Sequence, residues 1–262
     1  RASLTGAPSG CRRGPANAPK GPPNCAGAGL LSPYHPDMKS ELSNPQTLND
    51  RMAELIRQKI VHGEFTPGQR LSEAALSESL EISRNTLREV FRLLTKEGLL
   101  KHEPNRGVFV AIPSIASIID IYRVRRLIEC QALAQAYPRH PAKKHLRDAV
   151  EMALRCRDAG DWQGVGTANM EFHMAIVELA DSERLNVVFS HLLAELRLAF
   201  GLLNDPEFLH MPYVEMNVNI LELFEAGKLQ EAAAALNEYL VHSERIVLAV
   251  YARRISDGGQ PK

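Results

Sequence analysis

From Leu48 the apolar residues fall at helical spacing: Leu48, Met52, Leu55, Ile56 and Ile60 line one side, and Gly63 stops the run before a Pro67-Gly68 turn. Ser72 stands where an N-cap belongs, ahead of a short helix that turns Ala75, Leu76 and Leu80 inward. After a turn at Glu81-Ile82, Ser83 caps a third helix with Leu87, Val90, Phe91 and Leu94 on one face and a stop at Gly98. The apolar runs Leu99-Leu100 and Val108-Phe109-Val110 flank Pro104-Asn105-Arg106-Gly107. Proline presets a turn dihedral and glycine tolerates positive φ, so this pair reads as a β-hairpin.

Beyond Pro113 the pattern stays helical, with breaks near Pro138-Pro141, Gly160, Asp181-Ser182, Asp205-Pro206 and Gly227 that divide it into about six helices. No stretch there reads as a sheet. The predicted fold is therefore mainly α. A winged helix-turn-helix of three helices plus a β-hairpin wing spans residues 47–113, and an all-α helical bundle spans 114–255. Residues 1–46, rich in Pro, Gly, Ala, Asn and Ser, lack any period that could bury a face and read as a disordered leader; 256–262 read as a disordered tail. Met38 offers a natural start, with the upstream segment an extended reading frame or expression remnant.

The chain has 262 residues, enough for two domains with cores of their own. Cys11 and Cys25 lie in the leader, Cys130 and Cys156 stand singly, and no pair has CxxC or zinc-knuckle spacing, which points to a reduced cytoplasmic compartment. A formal net charge of +0 excludes a surface that is basic throughout and leaves room for a local basic face. No apolar run approaches the roughly 18 residues of a membrane span, so no membrane partner is expected.

A local basic face lies on the third helix. At about 100° per residue, Asn85, Arg88 and Arg92 fall together roughly 130° from the apolar side, with Arg84 at the N-terminus. Arg can pair with a guanine edge and Asn with an adenine edge, and both can grip phosphate. A solvated amphipathic helix is the plain alternative; the hairpin that follows, with Asn105, Arg106 and Gly107 at its tip, favours DNA, since an Arg at a wing tip can enter the minor groove.

The stretch from Ile60 to Val110 resembles the DNA-binding domain of the GntR family of bacterial regulators. It carries Gly63, Pro67-Gly68, Arg70-Leu71-Ser72-Glu73, Ser83-Arg84, Leu87-Arg88-Glu89-Val90, Glu97-Gly98-Leu99 and Arg106-Gly107. The resemblance implies DNA contacts by Arg84, Asn85 and Arg88 and a wing at Arg106 and Gly107. Two departures stand out. Glu81 occupies a position where glycine is common, at a cost of about 1 kcal/mol if the left-handed conformation is kept. Asn85-Thr86 replaces Thr-Pro, which alters the bases read.

The region from about Ile115 to Ala252 resembles the FCD ligand-sensing domain of the same family. The likeness rests on the run from Tyr122 to Glu129, on Asn169 with Phe172-His173, and on the helix end from Ile220-Leu221 to Gly227. Many such domains hold a divalent metal on an Asp or Asn and three histidines. Asn169 and His173, four apart, supply half of that set. The later histidine positions hold Asn217 and Tyr239, poor ligands for zinc or nickel.

The expected site is a metal-free polar pocket of Asn169, His173, Arg197, Asn217 and Tyr239, with Arg197 offering a fork to a carboxylate. A metal, if present, would use Asn169, His173 and His242. An intrahelical pair with Glu195 or a surface role is the alternative for Arg197, and Arg123, Arg125 and Arg126 with Glu129 read as a solvated or interface face.

The expected function is a DNA-binding transcription regulator, a repressor, controlled by a small carboxylate effector. Homodimerisation would match a two-fold operator, and the linker near Ile112 to Ser117 is the expected hinge. No cofactor is required. A metal-responsive regulator and a helical-bundle metalloenzyme are the rivals. The second lacks a Ser-His-Asp arrangement, a phosphate-cradling loop and a second acid close to His173, so the chain is not read as an enzyme.

Overall fold

A computed structural model describes residues 47–202 and 205–256; the leader and nearly all of the tail lie outside the described residues. Helix α1 (Leu48–Val61) starts in a capping box, with the Thr47 hydroxyl accepting from Asp50 N and Asp50 Oδ2 accepting from Thr47 N at 3.0 Å. Strand β1 (Arg70–Leu71) leads to α2 (Glu73–Ser79) and α3 (Arg84–Lys96), capped by Ser72 and Ser83 as their positions predict. Strands β2 (Leu100–Glu103) and β3 (Gly107–Val110) form the hairpin.

The sheet order is β1-β3-β2, all antiparallel, with Leu71 opposite Val108. Sequence reading missed β1. At two residues it is too short to show an alternation, and only its pairing with β3 defines it.

Leu87, Val90 and Leu94 of α3 have no exposed surface and pack in one core with Ala53, Ile56 and Ile60 of α1 and with Leu71, Val108 and Val110 of the sheet. Burying one such side chain contributes about 1.5–3 kcal/mol, so this apolar face fixes how α3 is turned. Arg57 of α1 reaches Glu97 at the end of α3, Nε to Oε2 2.8 Å, and ties the two helices at their far ends.

Six helices follow: α4 (Ile115–Gln135), α5 (Lys143–Asp158), α6 (Trp162–Glu178), α7 (Glu183–Phe200), α8 (Pro206–Glu225) and α9 (Leu229–Ser256). They are separated where the breaks were read, and Ser256, assigned to the tail, ends α9. Nearly every residue from Val165 to Val177 is buried, because α6 runs through the middle of the bundle against α4, α5, α7 and α8. Helix α9 packs on α4 and α8, and α1 packs on α7, so the apolar core is continuous between the two halves. No helix among the described residues is long and apolar enough to cross a membrane.

The turn after α2 has a backbone pattern that recurs at other helix ends. Ile82 N donates to Ser77 O, as Glu64 N donates to Lys59 O after α1 and Leu99 N to Leu94 O after α3. The residue before the donor has positive φ in all three cases: Gly63 at 76°, Gly98 at 77° and Glu81 at 54°. Only the last carries a Cβ that opposes it. Glu81→Gly should therefore raise the unfolding free energy by about 0.5–1 kcal/mol, read from the urea midpoint at constant m; an unchanged or lower midpoint contradicts the strain.

Candidate functional site

Two groups of side chains stand out, one on the outside of the winged domain and one inside the bundle. Along α3 the buried face leaves Arg84, Asn85, Arg88 and Arg92 in solvent. Arg88 Nε is held 3.0 Å from Glu73 Oε2, Arg92 lies against Glu89, and Arg106 Nη1 is 2.6 Å from Glu103 Oε2. Exposed pairs of this kind contribute about 0–1 kcal/mol, so an incoming phosphate or base edge can displace the carboxylate at little expense.

At the wing, Asn105 and Gly107 take φ of 61° and 109°, and the Arg106 guanidinium lies 5.5 Å from the Phe109 ring centroid. Arg70, which sequence reasoning passed over as a site residue, stands beside them. A Cβ built at Gly107 would lie 3.4 Å from Arg70 Nε, so β1 adds a fifth arginine, beside Arg84, Arg88, Arg92 and Arg106, to the basic surface of α3 and the wing tip. Its signal was its place in the run Arg70-Leu71-Ser72-Glu73, but its direction depends on the strand pairing.

Inside the bundle, Asn169 of α6 is the meeting point. Its Oδ1 accepts from Asn217 Nδ2 of α8 at 2.8 Å and from the Tyr239 hydroxyl of α9 at 3.0 Å. One turn along α6, His173 Nδ1 donates to Glu129 Oε2 at 2.5 Å, and Glu129 Oε1 accepts from Arg125 Nε at 2.7 Å. The His173 and Tyr239 rings are 5.0 Å apart, and Tyr213 stands 4.7 Å from Tyr239.

Arg125 and Glu129 are therefore not on a solvated face: they are 1% and 0% exposed. The cluster of charges reads as a solvated face, but the i,i+4 pair is the same whether it faces water or the core, and α4 is flanked closely enough by α6 and α9 to bury it. Arg126 reaches Glu244 at 2.6 Å, and Arg123 alone of the three arginines is exposed. Glu129 is also the acid near His173 that the sequence did not reveal.

Burial pushes the Glu129 carboxyl up, but Arg125 and His173 outweigh it and hold its pKa below the ordinary value. Burial lowers the pKa of His173, with Arg125 acting in the same direction against Glu129. The group is thus a carboxylate between a guanidinium and a neutral imidazole whose Nδ1 carries the proton.

Several buried polar atoms in this region have no protein partner among the described residues: Arg125 Nη2, His173 Nε2, Tyr213 OH and Asn217 Oδ1. Such atoms are rare in protein interiors. Here they comprise both hydrogen-bond donors and acceptors.

The metal donors are weaker. Asn169 Oδ1 is already occupied twice, His173 offers a single nitrogen, and His242 faces Tyr213 at 6.1 Å. Among the described residues no three His, Cys, Asp or Glu side chains gather as a metal would require. The donor set does not fit a divalent ion.

Arg197 stands in a different neighbourhood from the other four expected pocket residues. It is buried, does not pair with Glu195, and contacts the Gln163 carbonyl through Nη2 at 3.5 Å, beside Gly166, His210 and Gly63.

Residues 48–110 match the family described as bacterial regulatory proteins, gntR family, and residues 120–242 match the FCD domain. The chain is 27% identical over 141 residues to the HTH-type transcriptional regulator YdhC of Bacillus subtilis, covering 52% of this chain and 62% of that protein. It is 32% identical over 99 residues to the HTH-type transcriptional repressor RspR of Escherichia coli K12, covering 38% and 43%. These matches span less than two thirds of either relative's own length. Among solved structures, a GntR transcriptional regulator from Rhodococcus sp. RHA1 superposes with a TM-score of 0.71 at 35% identity, over 77% of this chain and 97% of that one.

Removing the charge of Glu129 leaves Arg125 buried without a counterion. Glu129→Gln should cost about 3–5 kcal/mol of unfolding free energy at pH 7, and Arg125→Met combined with Glu129→Leu should recover most of it. Because the folded pKa of Glu129 is depressed, its contribution is complete above the ordinary value of 4.5 and is lost as pH falls further. The gap between wild type and Glu129→Gln should therefore narrow below about pH 4.5. A loss under about 1 kcal/mol at pH 7 would mean that water reaches the pair.

Proposed function

The chain belongs to the GntR family, with an FCD domain as its helical half, and is a DNA-binding transcriptional regulator; from that premise we propose that it is a repressor whose operator affinity is set by a small carboxylate held inside the bundle. The observation that carries the effector reading is the set of partnerless buried atoms around Asn169 and Tyr239. Arg125 Nη2 and the Tyr213 hydroxyl would donate to a carboxylate, while His173 Nε2 and Asn217 Oδ1 would accept from a hydroxyl on the same molecule. Asn169, Asn217, Tyr239 and His173 orient it. No metal is needed for this chemistry; one equivalent of tightly held metal in protein purified without chelator contradicts that part.

On the DNA side, Arg84, Asn85 and Arg88 enter the major groove from the N-terminal half of α3, Arg92 grips phosphate, and Asn105, Arg106 and Gly107 form the wing, with Arg70 beside it. RspR is described as a repressor, which supports the same sign of control here. A homodimer supplies two such faces to a two-fold operator. Leu127 of α4, 75% exposed, with Val187 and Val188 of α7, gives the bundle an apolar surface suited to a second copy. Leu127→Glu should then yield a monomer in sedimentation, and an unaltered dimer places the interface elsewhere. The proposed compartment is the cytoplasm, where operator DNA is met.

The base-reading assignment is tested by comparing Arg88→Ala with Arg92→Ala on operator and on random duplex. Arg88→Ala should weaken operator binding by about 1–3 kcal/mol and leave random DNA much less affected, while Arg92→Ala weakens both alike. Equal losses for Arg88→Ala on the two duplexes contradict base reading.

A further inference from the structure

Three arginines are buried among the described residues: Arg57, Arg125 and Arg197. Arg57 lies against Glu54 and Glu97, and Arg125 against Glu129. Arg197 forms no ion pair among the described residues, and its 3.5 Å approach to the Gln163 carbonyl is long for a hydrogen bond. A guanidinium taken out of water without an anion is strongly disfavoured, and burial alone pulls its pKa down to about 10. His210, 4% exposed, stands beside it. Burial, with the charge of Arg197 adding to it, pushes that imidazole down to about 3, so His210 is neutral and keeps one N–H to donate.

The two side chains converge on bare backbone. A Cβ at Gly166 would overlap Arg197 Nη1 and stand 2.6 Å from His210 Nε2, so both groups come together only because this α6 position has no side chain. The opposite edge of the guanidinium faces the winged domain. A Cβ at Gly63 would lie 3.3 Å from Arg197 Nη2 and 2.9 Å from Gln163 Nε2, and Gln163 Nε2 donates to the His62 carbonyl at 2.9 Å. A Cβ at Gly201, after α7, would lie 3.0 Å from the Pro67 ring. The loop at 62–68 is thus seated on the ends of α6 and α7, with Arg197 beneath it.

We propose that Arg197 and His210, gathered over Gly166, form an anion site at the joint between the winged domain and the bundle, which takes the carboxylate of a small organic acid. One oxygen meets the guanidinium and the other the imidazole N–H, so the fork of Arg197 and the neutral donor of His210 are used together. The site is separate from the cluster around Asn169, whose cation is Arg125. An acid held there lies against the Gly63 end of α1 and bears directly on the seating of the 62–68 loop.

Trp162, the single tryptophan, immediately precedes Gln163 and reports on this joint. Its fluorescence in the full chain, without DNA, should change saturably on titration with acetate or succinate relative to sodium chloride at equal ionic strength. Arg197→Gln should weaken that response at least tenfold, Arg197→Lys and His210→Gln should weaken it by less, and a change at the exposed Lys144, Lys144→Gln, should leave it unchanged. Inorganic phosphate should compete poorly.

No saturable change with either carboxylate, or an unweakened response in both Arg197 variants, overturns the proposal; saturation by phosphate alone overturns the choice of carboxylate. Arg197→Lys keeps the charge and serves where Arg197→Gln does not fold. Since no operator is present, the result is independent of whether the chain represses.

Discussion

A carboxylate shut away from water organises the helical half of this protein. Glu129 has no exposed surface, and a charge in that position persists only if fully paired. Its partners are Arg125, one turn back on α4, and His173 on α6, so the pairing sets the register between the two helices. From His173 the polar thread continues along α6 to Asn169, which collects donors from α8 and α9. Four helices are joined through a handful of side chains that tolerate little displacement. Apolar packing alone would allow α6 several rotations of similar energy; the hydrogen-bonded thread admits one. The same arrangement leaves polar atoms of Arg125, His173, Tyr213 and Asn217 short of partners, so the residues that join the helices are also those the proposed effector would meet.

What happens around Asn169 has a short mechanical route to the DNA face. Helix α6 begins at Trp162, and Gln163 at that end holds the last turn of α1 through the His62 carbonyl. Helix α1 packs on α7 and on α3, and Arg57 fastens it to Glu97 where α3 ends. A small shift of α6 or α7 is thus delivered to the helix that positions the recognition face, alongside the linker before α4. Contact of this kind transmits nothing by itself: an effector changes operator affinity only to the extent that it binds the DNA-competent arrangement and the alternative unequally.

The winged domain was almost wholly legible in the sequence because its signals are local. Ser72 and Ser83 cap the helices they precede, Gly63 and Gly98 end helices by adopting positive φ, and the apolar face of α3 is separated from its arginines by simple periodicity. The bundle was legible as far as its breaks, for the same reason. Its interior was less so. Arg125 and Glu129 look like a surface pair at i,i+4 spacing, and only the packing of α6 and α9 against α4 reveals otherwise. Asn169, His173, Asn217 and Tyr239, grouped through the family resemblance, meet in the bundle interior, whereas Arg197 sits at the domain joint with His210 and Gly166, a neighbourhood that depends on how α1 docks. Short strand β1, and with it Arg70, exists only through its pairing with β3.

The central claim, that a ligand inside the bundle and an operator on the winged domain influence each other, is tested most directly by measuring their linkage in both directions. With a carboxylate chosen because it raises the melting temperature of the protein, operator affinity is measured with and without saturating acid, and affinity for the acid is measured with and without saturating operator. The account predicts the same factor in both experiments, within about 5–150-fold, with the acid weakening operator binding and the operator weakening acid binding. An acid that binds free and operator-bound protein equally well would contradict it.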